Sequence, residues 1–528
     1  MAKASGPDRL LPDGFRFGVA TSAFQVEGGL NGPGEPANNW VRWEREGRVE
    51  PSGVAVDFWN RYQDLLDRAA ALGCDTFRLG LEWARVEPEE GEIDETALDR
   101  YSAILDACLE RGLEPLVTLH HFTHPAWLGE DFWLSSESPR RFAAWAELAV
   151  GRLVDRCRLW ITSNEVGILG LVLYARGIHP PGRRLHWRDA FKLVGHVLAG
   201  HVRAYELVHE RRPDAIVHTN ASTASIYEQD RLLIDLLLAR SLGVARDDLD
   251  AFIGEQRRAW YAAIAPPTAV ERLVRWNAGR NAPIGATASP GRSRERRPRM
   301  ENPEGELRPL IEAVYSSPHE RTLDVLGIDY YDPVASNHLR LPGHRTAGGR
   351  SMVPTNDLWD DVVNPAGLTE YSRANLALSA GSGSAGRPLE LWVVENGLCN
   401  RVRNGHSYER LDGWDRPRYL RENLAAVVAG LDQGLPIGAY LHWSLVDNYE
   451  WGSHQPRFGL HGVDRERGAK ILETDSMGRD SAGAYRRLIE GLRDGDRNVL
   501  TGSHPARKGW KSTNLGRRGE VTSAEGAD

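Results

Sequence analysis

Two glutamates stand where acid–base and nucleophilic chemistry could be done. Glu165 closes the run WITSNE and Glu395 closes LWVVE, so each follows an apolar stretch and adjoins an asparagine. A carboxyl kept protonated can give its proton to a leaving oxygen, and an ionised one can attack carbon. Other chemistry-bearing residues gather in short segments. They are Gln25 in ATSAFQVEGG, Arg78 in TFRLGL, His120 and His121 in TLHHFTHPAW, and Asn164 beside Glu165. Asp329, Tyr330 and Tyr331 end LDVLGIDYY, and Trp443, Asp447, Glu450 and Trp451 lie in HWSLVDNYEW. Singly, each has a plainer reading. A strand-end Glu is usually solvated or salt-bridged, a Trp there usually packs, and adjacent histidines usually satisfy local hydrogen bonds.

What must hold these residues is an alternation of short β-rich runs with longer amphipathic ones. Strands are expected at Phe15–Ala20, Thr76–Leu81, Leu113–Leu119, Arg158–Ser163, Ala215–Asn220, Leu323–Tyr331, Leu389–Glu395 and Ile437–Leu445. Helical periodicity lies between them at Val56–Leu72, Ala97–Glu110, Pro139–Asp155, Asp189–Glu210, Ala366–Leu378 and Pro417–Gln433. Eight βα repeats imply an α/β fold, a single (β/α)8 TIM barrel with elaborated βα loops. An open doubly wound sheet would carry a G-x-G-x-x-G turn after its first strand, which the Gly-rich run Gly28–Pro36 lacks. Active sites of such barrels lie at the C-terminal ends of the strands. Seven of the eight expected strand ends deliver a polar or aromatic group to that face. The expected organisation is a lead over 1–12, one barrel domain over 13–495 with an irregular insert at about 225–320, and a disordered tail over 496–528. The Arg-rich stretch Arg280–Glu306 is expected to be a solvated surface loop.

The 528 residues carry 65 basic and 73 acidic side chains, a net charge of −8, which argues against a nucleic-acid partner. No apolar run approaches the length of a membrane span and no secretory leader is visible, so no membrane insertion is expected. Cys74, Cys108, Cys157 and Cys399 show no C-x-x-C spacing, which fits reduced thiols in a cytoplasmic protein. Trp, at 17, outnumbers Tyr at 15 and Phe at 11. Indole faces complement the apolar faces of sugar rings, although a Trp-rich core explains the count equally well. Strands four and seven lie three places apart on an eight-strand ring. Glu165 and Glu395 then face each other across the mouth, the arrangement that glycoside hydrolysis requires.

From Phe15 to Asp464 the chain resembles the family 1 glycoside hydrolases, which are retaining and β-glucosidase-like. FRFGVATSAFQVEGG is similar to that family's N-terminal signature, WITSNE to its acid/base motif and LWVVENG to its nucleophile motif. HWSLVDNYEW followed by RFGLHGVD is similar to its glycone-binding end. The resemblance implies Glu165 as general acid/base and Glu395 as nucleophile, with Arg78 and Tyr331 beside Glu395 and Asn164 on the sugar 2-hydroxyl. It implies Gln25, His121, Glu450 and Trp451 on the other hydroxyls and Trp443 as the stacking floor. The carboxyls of a retaining pair stand about 5–5.5 Å apart. The Arg78 cation is expected to lower the Glu395 pKa, and the Glu395 charge to raise that of Glu165. No metal or organic cofactor is implied, because the two carboxylates supply acid, base and nucleophile.

Retention of Glu450 and Trp451 implies a non-phosphorylated glycone, and the presence of Glu165 an O-glycosidase. The expected partner is a small-molecule β-glycoside or oligosaccharide, with homo-oligomerisation left open. A transglycosidase passing the sugar to an acceptor alcohol uses the same two glutamates. A sugar-binding barrel without catalysis is the non-enzymatic alternative. Three positions depart from the family pattern: Val166 for Pro, Phe122 for Trp, and Asp329 for Asn. Phe122 removes an N–H donor, and Asp329 is expected to push the Glu165 pKa further up. The 225–320 insert, with Trp260 and Trp276, is expected to pack on the barrel's flank or to shape the aglycone side.

Overall fold

Eight short segments rich in β-branched and aromatic residues form the strands, within a few residues of their expected limits. They are β1 (Arg16–Ala20), β2 (Thr76–Gly80), β3 (Glu114–Thr118), β4 (Leu159–Ile161), β5 (Ile216–His218 and Asn220–Ser222), β6 (Val325–Asp329), β7 (Glu390–Glu395) and β8 (Ile437–Trp443). The computed structural model describes residues 9–264, 272–273, 275–276, 283–284, 304–331, 362–382, 389–410 and 412–501. Every ladder of the main sheet is parallel, and β1 pairs both β2 and β8. The expected fifth strand is interrupted at Thr219. Its first half pairs β4 and its second half pairs β6, so the break is where the ring closes. The fold is a (β/α)8 barrel.

Helices α1 (Phe58–Ala71), α2 (Glu95–Glu110), α3 (Ser138–Leu153), α4 (Trp187–Arg211), α5 (Arg308–Ser316), α6 (Pro365–Leu378), α7 (Arg416–Asp432) and α8 (Ser481–Arg493) cover the outside. Several start where capping chemistry dictates. Asp94 accepts from the Thr96 and Ala97 N–H groups and Asp415 from that of Arg418, each satisfying donors that the first helical turn leaves open. Proline sits in the first turn of α3, α5, α6 and α7, where no N–H is needed. On α8, Tyr485 donates to the Gly18 carbonyl (2.9 Å) and pins the last helix to the first strand.

The core has two layers. The larger lies between sheet and helices, and the smaller fills the barrel with Leu116, Ile161, Val325, Trp392, Val394 and Leu441. At the N-terminal end of the strands, Glu114 joins Arg16 (3.1 Å) and Arg158 (2.6 Å). The insert packs on the flank. Leu232–Leu238 is buried along its whole length, and Trp260 meets Tyr371 of α6 edge-on at 5.1 Å. Trp276 is exposed. Most of Arg280–Glu306 lies outside the described residues, as do 1–8 and 502–528. Arg497–Leu500, placed in the tail on sequence grounds, forms a 3₁₀ turn, and Arg497 grips Asp432 with both terminal nitrogens. The four cysteines are buried and free, and no described helix is long and apolar enough to cross a membrane.

Candidate active site

Every one of the eight strands sends a side chain to the C-terminal mouth or stops just short of one that does. Arg78, the middle residue of β2, is fully buried inside the barrel and organises the centre. Its Nε donates to Thr118 Oγ1 of β3 (3.2 Å), its Nη1 to Glu395 Oε1 (2.5 Å) and its Nη2 to Asn164 Oδ1 (2.5 Å). Glu395 ends β7, and its second oxygen accepts from the Tyr331 hydroxyl at 2.8 Å. Tyr331 arrives two residues after β6, and the Tyr330 N–H bonded to the Glu395 carbonyl (2.8 Å) keeps those two strand ends in register.

Asn164 is turned by the same network. Its Oδ1 also accepts from Asn220 Nδ2 (2.7 Å), so its own Nδ2 faces His121 Nε2 at 3.1 Å. Arg78 Nη2 meets the other ring nitrogen of His121, Nδ1, at 3.5 Å, so donors approach the imidazole from both sides. Burial and the Arg78 charge hold this imidazole well below its ordinary pKa, so it is neutral. Glu165 follows Asn164 with its backbone in the left-handed region (φ 36°, ψ 55°), at the entry to the short helix Val166–Gly170. A non-glycine residue there is uncommon and strained, and such positions concentrate at functional sites.

A second cluster adjoins the first. Glu450 accepts from Trp443 Nε1 (2.9 Å) through one oxygen and from Gln25 Nε2 (2.9 Å) through the other, and Ser22 Oγ holds Gln25 Oε1 at 2.6 Å. Burial pushes the Glu450 carboxyl up to about 7. The His121 ring lies nearly parallel to both Trp443 (5.9 Å, 25°) and Trp451 (5.6 Å, 21°) and so joins the two clusters. Phe122, at a φ of 71°, packs on Trp451 at 4.8 Å and puts a flat hydrocarbon face where an indole would offer a donor.

Electrostatics separates the carboxyls. Burial raises the Glu165 carboxyl well above its ordinary value, and the Glu395 charge raises it further. Burial also raises Glu395, while Arg78 and the Tyr331 hydroxyl pull it back, so it ionises first. The expected net lowering of Glu395 by Arg78 is thus a partial offset of its burial. Asp329 is likewise held well above its ordinary range, first by burial, then by the Glu395 and Glu165 charges. The direction of influence is therefore opposite to the expectation for Asp329. The Glu165 charge is among the causes that raise Asp329, whereas Glu165 is raised by burial and by the Glu395 charge.

The ten residues that the family resemblance implies for the site lie in or beside these two clusters. Others from the same segments are structural. Trp83 stacks on Trp145 (5.6 Å, 7°), His120 meets Ser163 Oγ at 3.1 Å, and Asp447 accepts from the Gly459 N–H at 2.9 Å. Asn220 was not anticipated. It supplies the contribution of strand five and donates to both Asn164 and Asp329. An asparagine ending the run AIVHTN was its one sequence signal.

Comparison with known proteins agrees with this geometry. The sequence profile of Glycosyl hydrolase family 1 matches residues 8–491. A Beta-glucosidase from an Agrobacterium species is 27% identical over 512 residues, covering 93% of this chain and 98% of its own. Beta-glucosidase A of Thermotoga maritima is 25% identical over 511 residues, covering 92% and 99%. A solved structure of the Beta-glucosidase from Thermotoga maritima in complex with azafagomine superposes with a TM-score of 0.66 at 23% identity, over 91% of this chain and 99% of that one. A profile match over residues 8–491 of 528, on a barrel of this topology, makes the protein a member of glycosyl hydrolase family 1 and a glycoside hydrolase.

Proposed function

We propose that the protein is a retaining β-glycosidase acting on non-phosphorylated β-glucosides or related β-glycosides. Glu395 is the nucleophile, Glu165 the general acid and then the base, and Arg78 and Tyr331 orient the nucleophile. The observation that carries this reading is the asymmetry between the two carboxyls. Glu395 is gripped by a cation and a phenol O–H, while the Glu165 carboxyl makes no hydrogen bond among the described residues and is held up by burial and the Glu395 charge.

That asymmetry supports a two-step sequence. Ionised Glu395 attacks the anomeric carbon as protonated Glu165 gives its proton to the leaving oxygen, forming a glycosyl ester. The ester removes the Glu395 charge, so Glu165 now ionises and can take a proton from incoming water. Water attacks the anomeric carbon, Glu395 leaves as a carboxylate, and the configuration is retained. Gln25, His121, Trp443, Glu450 and Trp451 offer the ring face and hydrogen-bonding atoms that a pyranose needs, and Asn164 offers its amide beside the reacting centre. Relatives named Beta-glucosidase support a glucose-like ring. Four free cysteines fit a reducing, cytoplasmic setting.

The test is covalent trapping. An activated 2-deoxy-2-fluoro β-glucoside slows release of the ester, so intact mass spectrometry should show one added fluorosugar, absent in Glu395→Gln. Absence of label with the gluco, galacto and fuco reagents alike would refute the reading.

A further inference from the structure

Three oxygens close to Glu395 have no hydrogen-bond partner among the described residues: Asp329 Oδ1, Asn220 Oδ1 and Ser222 Oγ. Their residues are buried, at 0%, 2% and 7% exposure. Ser222 stands opposite Asp329 in the β5–β6 ladder, and Asn220 lies two residues earlier on the same face of its strand. That face is the inner one, because Asn220 Nδ2 reaches both Asn164 Oδ1 and Asp329 Oδ2. The three oxygens thus line one recess in the mouth wall. Three carboxyls and one cation lie around it. Asp329 sits in the field of Glu395 from β7, Glu165 from the loop after β4 and Arg78 from β2, with the Tyr331 phenol alongside. Arg78 directs its hydrogen bonds to Glu395, Asn164, Thr118 and the Val394 carbonyl, meets His121 Nδ1 at 3.5 Å, and gives none to Asp329.

We propose that this recess takes an ammonium group on the substrate, at the sugar carbon next to the anomeric centre, so that the glycone is a 2-amino-2-deoxy sugar. The proposal rests on Glu395 being the nucleophile. Asp329 and Glu395 are paired across the β6–β7 ladder, one strand spacing of about 4.8 Å apart. Within that reach of an anomeric carbon under attack lie the leaving oxygen, the ring oxygen and the substituent on C2. The leaving oxygen belongs to Glu165 and the ring oxygen carries no substituent, which leaves C2. An ammonium brings three N–H donors to a carboxylate, an amide oxygen and a hydroxyl, whereas a C2 hydroxyl brings one. Its charge also completes a balance. Asp329 ionises against the ammonium, Glu395 stays paired with Arg78, and Glu165 keeps its proton for the leaving group.

The test compares 4-nitrophenyl 2-amino-2-deoxy-β-D-glycosides with the parent 4-nitrophenyl β-D-glycosides, in the gluco and galacto series, on the wild type, Asp329→Asn and Ser222→Ala. A lost charge-assisted contact changes kcat/KM by about tenfold or more. The wild type should favour the amino sugar by about that factor, and Asp329→Asn should erase or reverse the preference. Calorimetric titration with the methyl 1-thio-β-glycosides of the same sugars reads binding without turnover, so it decides the matter even for a slow variant. If Asp329→Asn does not fold, the wild-type preference and its reduction in Ser222→Ala carry the same decision. Hydrolysis of the parent glycosides with no preference for the amine in rate or binding would overturn this inference and leave the proposed function standing. Selective binding of the amino thioglycoside with no hydrolysis of any substrate would support the recess and overturn the hydrolytic reading.

Discussion

Removing the Tyr331 hydroxyl tests the asymmetry on which the mechanism depends. In Tyr331→Phe the ring can remain in place while Glu395 Oε2 loses its 2.8 Å donor. That donor lowers the Glu395 pKa because it bonds the carboxylate better than the acid. A hydrogen bond to a charged group contributes about 1.5–3 kcal/mol, and 1.36 kcal/mol is one pKa unit, so Glu395 should rise by about 1–2 units. The sign follows from its role as an anion. Protonated Glu395 cannot attack, so the acidic limb of kcat/KM should move up by that amount, with activity lost first at low pH. The alkaline limb follows the proton on Glu165. It should move less, since Glu395 is ionised at those pH values with or without Tyr331. The assay is kcat/KM on an aryl β-glucoside from pH 4 to 9, where the limbs report ionisations of the free enzyme. An acidic limb that stays put or moves down would refute the assignment of Tyr331 as the group that keeps Glu395 ionised.

Glu165→Gln should lower kcat/KM on a glycoside with a poor leaving group by about 10²–10⁴-fold, the usual contribution of a general acid. Azide, which needs no base, should restore turnover of an activated aryl glycoside and give a β-glycosyl azide; an α product would exclude retention. Gly397 has no room for a side chain, because a Cβ would overlap the Trp443 carbonyl. Gly397→Ala should therefore displace Trp443 and raise KM while the fold persists by circular dichroism, and an unchanged KM would show that Trp443 does not bind sugar. Glu82 is buried with one carboxylate oxygen unpartnered, and burial with the nearby Glu27 charge raises it from 4.5 to about 7. Between those values the folded state binds the extra proton, so this residue makes the protein less stable as pH rises from about 4.5 to 7. Glu82→Gln should gain stability relative to the wild type from pH 5 to pH 8, by on the order of 1–3 kcal/mol in denaturant titrations. An equal difference at both pH values would refute the shift.

Much of the fold was legible because its signal is local. The β-rich runs mark the strands and the helical spacers the helices, so that α2 and α7 start within a few residues of their expected limits. The break in strand five was not legible. Thr219 has ordinary strand chemistry, and the interruption comes from where the ring must close between β4 and β6. In the site, residues with a motif around them were found, and Asn220, with none, was not. Its importance lies wholly in its partners, Asn164 from β4 and Asp329 from β6. The effect assigned to Asp329 also changed for a tertiary reason. A carboxyl's influence depends on whether it is ionised, and burial beside two other carboxyls disfavours ionisation of this one.

The sequence by itself determined that eight βα units would close into a barrel, that Glu165 and Glu395 would end facing strands, and that polar and aromatic groups would gather at one mouth. Those outcomes follow from periodicity and from the chain direction shared by parallel strands. Only the tertiary structure decided which carboxyl is held by a guanidinium and a phenol, which way Asn164 faces, and which oxygens are left without partners among the described residues. Each of these depends on distances between segments far apart in sequence, in a buried site where one guanidinium pairs with one of three neighbouring carboxyls.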